Sequence, residues 1–282
     1  MISITESPRD AMQGIKKIIP ADTKVRYINK LFRLGFDTID IGSLVSAKAI
    51  PQMSDTEQVI RSTDTGTSTS KISVLVGNSR YASQAARIPS VDYINYPFSV
   101  SETFLQKNLK SNFEKSYQES DAVIQTAKQA GKEAVITISS AFGNPYGDPW
   151  SIGILSEHID NLAQRGLKYI PIADTTSEAD AERMYKVFSE INRSFPDVEF
   201  NVHLHTYPDQ MTEKVQALYD AGCRSFDTVF NGMGGCPMSG KQLIANLNTM
   251  DFILWLDEHN IPHKLNRDAL IEAAEAAKTI FI

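Results

Sequence analysis

Two histidines separated by a single residue are the most distinctive chemical feature of the sequence. They are His203 and His205, two of only five histidines in the chain, at the end of an alternating run over residues 200–205. Successive side chains of a β-strand point to opposite faces, so a strand here places both imidazoles on one face, where they can bind one metal ion. The same spacing also fits two histidines hydrogen-bonded inside a core. The pattern predicts a metal site, with a buried histidine pair as the alternative.

Charged residues stand at the ends of other predicted strands. Arg9 and Asp10 follow the first strand, Asp40 lies in the second, and Asp174 ends the sixth. One carboxylate beside two imidazoles, with water or further oxygen ligands, suits Mg²⁺ or Mn²⁺, whereas zinc is less favoured without a thiolate. We therefore expect Asp10 to complete the metal site.

Arg9 has two interpretations. The first is structural, a surface ion pair with its neighbour Asp10 or a clasp at the rim of the barrel. The second is functional, with the guanidinium donating hydrogen bonds to a substrate carboxylate or a developing enolate oxygen. Its place at the end of the first strand favours the second interpretation.

A glycine-rich segment follows the eighth predicted strand. Residues 231–237 read Asn-Gly-Met-Gly-Gly-Cys-Pro, and such glycines allow a loop, here expected to act as a lid, to approach a ligand closely. Free cysteines are often small buried hydrophobes, but a loop of this kind is a poor place for core packing, so Cys236 is predicted to be a reactive thiol. Cys223, at the end of a predicted helix, is expected to be buried and is left out of the site.

The elements that must position these residues alternate along the chain. Helical patterns separate eight short runs rich in β-branched and aromatic residues. These runs are residues 2–4, 38–41, 72–76, 93–96, 134–138, 169–172, 200–205 and 226–230. The alternation predicts an α/β fold, a single (β/α)8 TIM barrel over residues 1–282 with the active site at the C-terminal ends of the strands. An open doubly wound sheet is the alternative, but no Gly-x-Gly-x-x-Gly follows the first strand.

Composition excludes several classes of function. Hydrophobic residues make up 42% of the 282 residues, which is enough for a globular core, and the net charge of −6 argues against nucleic acid or an anionic membrane as partner. No apolar run approaches the roughly 20 residues that span a bilayer. Two cysteines and an N-terminal sequence without a leader pattern lead us to expect a cytoplasmic protein.

With these residues assembled, the chain resembles the 3-hydroxy-3-methylglutaryl-CoA lyases, in the metal-dependent TIM-barrel superfamily that also holds isopropylmalate and homocitrate synthases. The resemblance covers nearly the whole chain. The motifs that carry it are residues 8–13, 43–53, 101–104, 173–175, 202–205 and 232–237.

The resemblance implies a function and a role for each residue of these motifs. The implied reaction is retro-Claisen cleavage of an acyl-CoA substrate to acetyl-CoA and acetoacetate, by a homodimer that acts in leucine degradation. The implied ligands of Mg²⁺ or Mn²⁺ are Asp10, His203, His205 and Asn246. The implied catalytic groups are Asp10, His203, Arg9 for the enolate, Cys236 for proton transfer, and the acids Asp174 and Asp40, with Gln13 and Lys16 beside Arg9 at the substrate.

Three departures from the family pattern fall near this site. Thr5 and Asp40 stand where the family usually has Glu, and Ser7 stands where it has Gly. A carboxylate shortened by one methylene moves by about an ångström, enough to weaken a proton transfer. A related lyase or aldolase acting on another 3-hydroxyacyl-CoA or hydroxy acid is therefore the first alternative, and a non-catalytic barrel that binds metal and acyl-CoA is the second.

Overall fold

Eight parallel strands form a closed barrel in the computed structural model, which describes residues 1–235 and 244–281. The strands follow one another around the barrel in sequence order, and the eighth pairs with the first. They are β1 (Ser3–Glu6), β2 (Thr38–Leu44), β3 (Lys71–Val76), β4 (Tyr93–Ser99), β5 (Glu133–Ser139), β6 (Tyr169–Asp174), β7 (Glu199–Leu204) and β8 (Ser225–Thr228). The predicted TIM barrel is confirmed, and the open sheet is excluded because a closed barrel has no edge strands.

Helices connect the strands and cover the outside of the barrel. They are α1 (Pro8–Gln13), α2 (Ala21–Leu31), α3 (Thr56–Ser62), α4 (Ser79–Ala85), α5 (Glu102–Leu109), α6 (Phe113–Gln129), α7 (Ile152–Gln164), α8 (Ala181–Ser194), α9 (Met211–Asp220), α10 (Thr249–Glu258) and α11 (Arg267–Ile280). Short 3₁₀ turns lie at Pro51–Met53, Pro208–Gln210 and Phe230–Gly232. No helix within the described ranges is both long and apolar enough to cross a membrane.

Alternate side chains of each strand point to the helices and to the interior of the barrel. In β7, Val202 and Leu204 point outward and are buried against helices, whereas Asn201 and His203 line the interior. This alternation has the period of two from which the shared face of His203 and His205 was predicted. The buried apolar residues form one cluster that includes the helices' inner faces.

The inner face of the barrel encloses a cavity that opens at the C-terminal ends of the strands. The cavity has a volume of about 800 Å³, and its wall includes hydroxyl and amide side chains from several strands, such as Thr5, Ser73, Asn95 and Thr137. Barrel interiors are usually filled by bulky branched side chains. Polar side chains here leave room for a ligand that reaches below the rim.

Candidate active site

One carboxylate and two imidazoles meet at the mouth of the barrel. Asp10 lies in the first turn of α1, His203 is in β7, and His205 follows the end of that strand. The Nε2 atoms of the two histidines are 3.0 Å apart, and Asp10 Oδ2 lies 3.9 Å from His203 Nε2 and 4.0 Å from His205 Nε2. These three residues form a group that can hold a metal ion. Two ligand atoms about 2.1 Å from one ion, on adjacent octahedral positions, lie about 3.0 Å apart.

The hydrogen bond made by Nδ1 of each histidine determines that Nε2 faces the cluster. His205 Nδ1 donates to the backbone carbonyl of Thr175 at 2.9 Å, and His203 Nδ1 donates to Asp227 Oδ2 at 2.9 Å. A carbonyl and a carboxylate only accept, so both Nδ1 atoms carry a hydrogen. In the neutral rings both Nε2 lone pairs then point into the cluster and repel each other. A cation bound between them removes this repulsion, which is why the donor set fits a metal ion.

Asn246 adds an oxygen to the same cluster. Its Nδ2 donates to Asp10 Oδ2 and to the carbonyl of Met233, each at 2.7 Å. Its Oδ1 is buried and has no hydrogen-bond partner among the described residues. A buried acceptor without a donor is costly, and coordination of a cation would satisfy it. The predicted ligands are thus brought together, and the residues present fit a divalent ion.

Charge and burial act in opposite directions on the pKa values of the cluster. Burial alone would raise the pKa of the Asp10 carboxyl, but the charges of Arg9 and the two histidines bring it down to about 2. Burial, reinforced by neighbouring His203, lowers the pKa of His205 to about 4, so this ring is neutral at pH 7. Burial also opposes the charged form of His203, but the hydrogen bond and charge of Asp227 outweigh it and raise the pKa. Asp10 and His205 therefore hold the protonation states that metal ligands need.

Arg9 is not a surface residue. Its side chain is buried and donates to Asp40 Oδ2 through Nε at 2.9 Å and Nη2 at 2.6 Å, to Asp10 Oδ1 at 2.9 Å and to Gln13 Oε1 at 3.2 Å. Burial works against the charged guanidinium, but Asp40 and Asp10 more than compensate and raise its pKa. The ion pair with Asp10 therefore forms, but it is buried rather than on the surface, and Asp40 joins it as in a clasp. Arg9 lines the cavity as a fixed positive charge beside the metal-ligand cluster.

Asp40 retains one oxygen that no donor reaches. Oδ2 accepts both hydrogen bonds from Arg9, while Oδ1 is buried without a partner among the described residues. Burial raises the pKa of the Asp40 carboxyl against the opposing charge of Arg9. Asp40 lines the cavity, which places its carboxyl group at the wall of the ligand space.

The two predicted substrate residues beyond Arg9 have different positions. Gln13 lines the cavity and donates to Asp10 Oδ1. Lys16 is exposed on the segment after α1 and does not line the cavity. The structure therefore places Gln13, but not Lys16, in the site.

Asp174 does not join the cluster. Its carboxylate points to the outer side of β6 and accepts hydrogen bonds from the backbone N–H groups of Glu178 at 3.0 Å and Ala179 at 3.4 Å. Burial raises its pKa to about 6. The alternation along the strand places Ala173 and Thr175, not Asp174, on the cavity wall. A catalytic role for Asp174 thus rests on the resemblance alone.

The two cysteines have separate outcomes. Cys236 lies outside the described residues, as does Pro237, so the reactive-thiol prediction stays a prediction. Cys223 is fully buried, and its thiol donates to the carbonyl of Ser225 at 3.3 Å. The expected buried position is therefore confirmed, and burial raises the pKa of the thiol to about 12.

Asp227 is the main site residue that sequence reasoning missed. It lies on the inner face of β8, where Asn201 donates to its Oδ1 at 2.7 Å and leaves Oδ2 for His203. Ser225 in turn donates to Asn201 Oδ1 at 2.8 Å. The signal was an acidic residue inside an apolar strand, in the register that points inward.

Gly234, in the described part of the glycine-rich segment, lies close to two residues of the cluster. A Cβ on Gly234, where φ is +95°, would lie 2.5 Å from the carbonyl oxygen of Asp10 and 2.8 Å from Asn246 Nδ2. The predicted close approach of this segment is therefore seen at Gly234, whereas the lid prediction depends on residues beyond 235.

Comparisons with known proteins show which family the chain belongs to. Residues 2–276 match the model of the HMGL-like family. A mitochondrial hydroxymethylglutaryl-CoA lyase of Rattus norvegicus is 29% identical over 95% of this chain and 82% of the relative. An (R)-citramalyl-CoA lyase of Chloroflexus aurantiacus is 26% identical over 95% of this chain and 87% of the relative.

A solved structure extends the likeness to the whole fold. An HMG-CoA lyase of Acinetobacter baumannii, in complex with coenzyme A and 3-methylmalate, superposes with a TM-score of 0.92 at 26% identity, over 100% of this chain and 91% of that one. The sequence resemblance is confirmed. The chain belongs to the HMGL-like family and is a carbon–carbon lyase.

Proposed function

We propose that this protein cleaves 3-hydroxy-3-methylglutaryl-CoA to acetyl-CoA and acetoacetate with the help of bound Mg²⁺ or Mn²⁺. The single observation that carries the proposal is the cluster of Asp10, His203 and His205, completed by the unpartnered oxygen of Asn246, at the mouth of a large cavity. The hydroxymethylglutaryl-CoA lyases among the relatives support the choice of substrate.

The cleavage reaction removes a proton from one oxygen atom and transfers an electron pair to one carbon atom. The substrate's tertiary hydroxyl loses its proton, the bond between its carbon and the thioester α-carbon breaks, and the electron pair of that bond forms an enolate. Protonation of the enolate carbon then gives acetyl-CoA, and the alcohol carbon becomes the ketone of acetoacetate. When bound, a divalent ion supplies Lewis-acid polarisation that brings the alcohol's pKa within reach of a side-chain base.

The residues of this chain supply the remaining parts of the reaction. Asp40 Oδ1 is the free buried acceptor beside the cluster and is the proposed base for the hydroxyl proton. Arg9 is held by Asp40 and Asp10, and its fixed charge stabilises the developing enolate oxygen. Cys236 is proposed as the acid that returns a proton to carbon.

A second candidate differs in the acyl group. The (R)-citramalyl-CoA lyase matches this chain over as large a share of its length as the hydroxymethylglutaryl-CoA lyases do. Thr5 contributes an uncharged hydroxyl to the cavity wall at a position where the family usually has Glu. Both features favour a related 3-hydroxyacyl-CoA as the alternative substrate.

A substrate panel separates the two candidates. Purified protein with Mg²⁺ or Mn²⁺ is offered 3-hydroxy-3-methylglutaryl-CoA, citramalyl-CoA and other 3-hydroxyacyl-CoAs, and acetyl-CoA release is followed. The proposal expects the highest kcat/KM for 3-hydroxy-3-methylglutaryl-CoA. A preference of tenfold or more for another acyl group would replace the substrate but keep the lyase chemistry, and metal and acyl-CoA binding without turnover on any member would support the non-catalytic alternative.

Assembly and pathway are proposals of the same kind. We propose a cytoplasmic homodimer that acts in leucine degradation, as the resemblance implies. Light scattering on the purified protein tests the dimer.

A further inference from the structure

Glu6 is a fully buried acid on the outer side of the barrel. It is the last residue of β1, and the alternation of the strand points Thr5 into the cavity and Glu6 away from it. No lysine, arginine or histidine of the described part of the chain forms an ion pair with it. Removing a carboxyl group from water without a basic partner is costly, so its hydrogen bonds must account for its presence.

Three hydrogen-bonding groups from one stretch of chain converge on the Glu6 carboxyl. The backbone N–H of Phe230 donates to Oε1 at 2.9 Å. The hydroxyls of Thr249 and Thr228 lie 2.6 Å and 3.1 Å from Oε2. Thr228 ends β8, Phe230 begins the 3₁₀ turn after it, and Thr249 begins α10. The carboxyl group therefore touches both ends of the segment that joins β8 to α10.

The described ends of this segment are also joined to each other. The N–H of Val229 donates to the carbonyl of Leu247 at 2.9 Å, and the N–H of Thr249 donates back to Val229 at 3.2 Å. Further along, the N–H of Asn246 donates to the carbonyl of Gly232 at 3.0 Å. Asn246 thus stands three residues before a residue that Glu6 holds directly, and its backbone is bound to the turn that Glu6 holds from the other end.

We propose that Glu6 is a positioning residue that fastens both ends of the β8–α10 segment and so sets the place of Asn246 in the metal site. Glu6 lies on the opposite side of β1 from the cavity and contacts neither the metal-ligand cluster nor the space for substrate. The inference rests on the metal site of the proposed function but not on the identity of the acyl group.

The shape of the carboxyl group explains why an acid is suited to this place. One oxygen accepts from the backbone of the first end, and the other meets the hydroxyl of the second end. Burial raises the pKa of Glu6 to about 8, so the neutral acid prevails at pH 7. Glutamine has nearly the same shape as the neutral acid and keeps an oxygen for Phe230, whereas valine removes both polar atoms.

Metal affinity of the full-length protein tests the proposal without any substrate. The dissociation constant of Mn²⁺ is measured by calorimetry for the wild type, Glu6→Val and Glu6→Gln. We expect Glu6→Val to weaken binding by on the order of tenfold, the size seen when residues behind metal ligands are lost. The Mn²⁺ dissociation constant of Glu6→Gln should remain within about twofold of the wild-type value, because glutamine has nearly the same shape as the neutral acid and can keep the hydrogen bonds to the segment.

A double-mutant cycle shows whether the effect passes through Asn246. If Glu6 acts only by placing that amide, Glu6→Val combined with Asn246→Ala binds Mn²⁺ no more weakly than Asn246→Ala alone. Ile4→Ala is the matched control, because Ile4 lies on the same outer face of β1 and is buried, but its side chain has no group that can form a hydrogen bond. It should lower stability while leaving the Mn²⁺ dissociation constant unchanged.

Thr249→Val tests the same connection between Glu6 and the β8–α10 segment if Glu6→Val does not fold. It removes only the hydroxyl group at the second end and should weaken Mn²⁺ binding several-fold. In both variants, hydrogen exchange should accelerate at the N–H groups of Val229 and Asn246 but not in β4 and β5.

Several results would overturn the proposal. The proposal is wrong if the Mn²⁺ dissociation constant of Glu6→Val lies within twofold of the wild-type value. It is also wrong if Glu6→Val and Ile4→Ala lose the same Mn²⁺ affinity, or if the losses of affinity in Glu6→Val and Asn246→Ala multiply fully in the double variant. A wild-type protein that binds no Mn²⁺ contradicts the metal site of the proposed function as well, whereas normal wild-type binding with an unaffected Glu6→Val contradicts the positioning role alone.

Discussion

At the scale of single residues, the metal-facing histidines depend on the groups behind them. His203 and His205 direct Nε2 into the cluster because Nδ1 of each is occupied by a hydrogen bond. A backbone carbonyl fixes His205 and cannot be mutated away. The side chain of Asp227 fixes His203 and can be changed by mutation, so it offers the cleaner test of how the cluster is oriented.

We predict that Asp227→Asn weakens Mn²⁺ binding by about 10- to 100-fold, because the amide no longer specifies a hydrogen on His203 Nδ1 and lowers the basicity of the ring. Calorimetry on the purified protein measures the change. Asp209→Asn, at an exposed position, is the matched control and should bind as the wild type does. Equal dissociation constants for Asp227→Asn and the control would show that the ring is oriented by other contacts.

At the scale of elements, the glycine-rich segment and the rim after α1 each depend on a close contact. Gly234 leaves no space for a Cβ above Asp10. On the rim, Gln52 accepts from the N–H of Ile19 at 2.8 Å and donates to the carbonyls of Ile15 at 3.0 Å and Lys17 at 2.9 Å. This buried amide explains a residue of the 43–53 motif that has no contact with the metal-ligand cluster.

Gly234→Ala should weaken Mn²⁺ binding by on the order of tenfold, since the added methyl group must displace either the backbone of Asp10 or the amide of Asn246. Gly166→Ala is its control, because Gly166 has a similar φ of +92° and no described atom within 4 Å of the added carbon. Both variants should lose about 1 kcal/mol of unfolding free energy from the left-handed backbone. Unchanged metal affinity in Gly234→Ala would mean that the segment moves aside freely.

Gln52→Leu should lower the unfolding free energy by about 3 kcal/mol, because three hydrogen bonds to the rim are lost at about 1 kcal/mol each. Urea unfolding measures this loss, and hydrogen exchange should accelerate at the N–H of Ile19. Gln58→Leu, exposed on α3, should change stability by less than about 0.5 kcal/mol. Similar small losses in both variants would contradict the anchoring role.

The sequence predicted the elements that a local pattern of residues identifies. It was less informative about side chains whose partners belong to distant elements. Runs rich in β-branched and aromatic residues identified all eight strands, and alternation along one of them identified the shared face of His203 and His205. The same rule, applied to β6, would have turned Asp174 away from the cavity. Glu6 could not be interpreted in advance, because its donors lie more than 220 residues away in sequence.

At the scale of the whole molecule, the barrel keeps buried acids that make stability depend on pH. The pKa of Glu6 is about 8 in the folded protein against an ordinary value of 4.5, because burial disfavours the carboxylate. The folded state therefore binds a proton that the unfolded chain has already lost between those pH values. Stability from this group is fully present below about pH 4.5 and is lost as the pH rises towards 8.

The unfolding free energy of the metal-free wild type should therefore fall relative to that of Glu6→Gln between pH 5 and pH 8. The difference should be on the order of 4 kcal/mol at the upper end. Urea unfolding at several pH values measures it, and Glu6→Gln removes the titrating group while the other buried acids stay in both proteins. Parallel curves for the two proteins would show that Glu6 is ionised, or neutral, in both states alike.

Metal-dependent cleavage is the central claim, and one assay tests it most directly. Protein stripped of metal by a chelator is mixed with 3-hydroxy-3-methylglutaryl-CoA, and acetyl-CoA release is measured before and after Mg²⁺ or Mn²⁺ is restored, for the wild type and His203→Ala. We predict release only by the wild type with metal, and little bound metal in His203→Ala. Release by the stripped protein, or a full rate with full metal content in His203→Ala, would contradict the account.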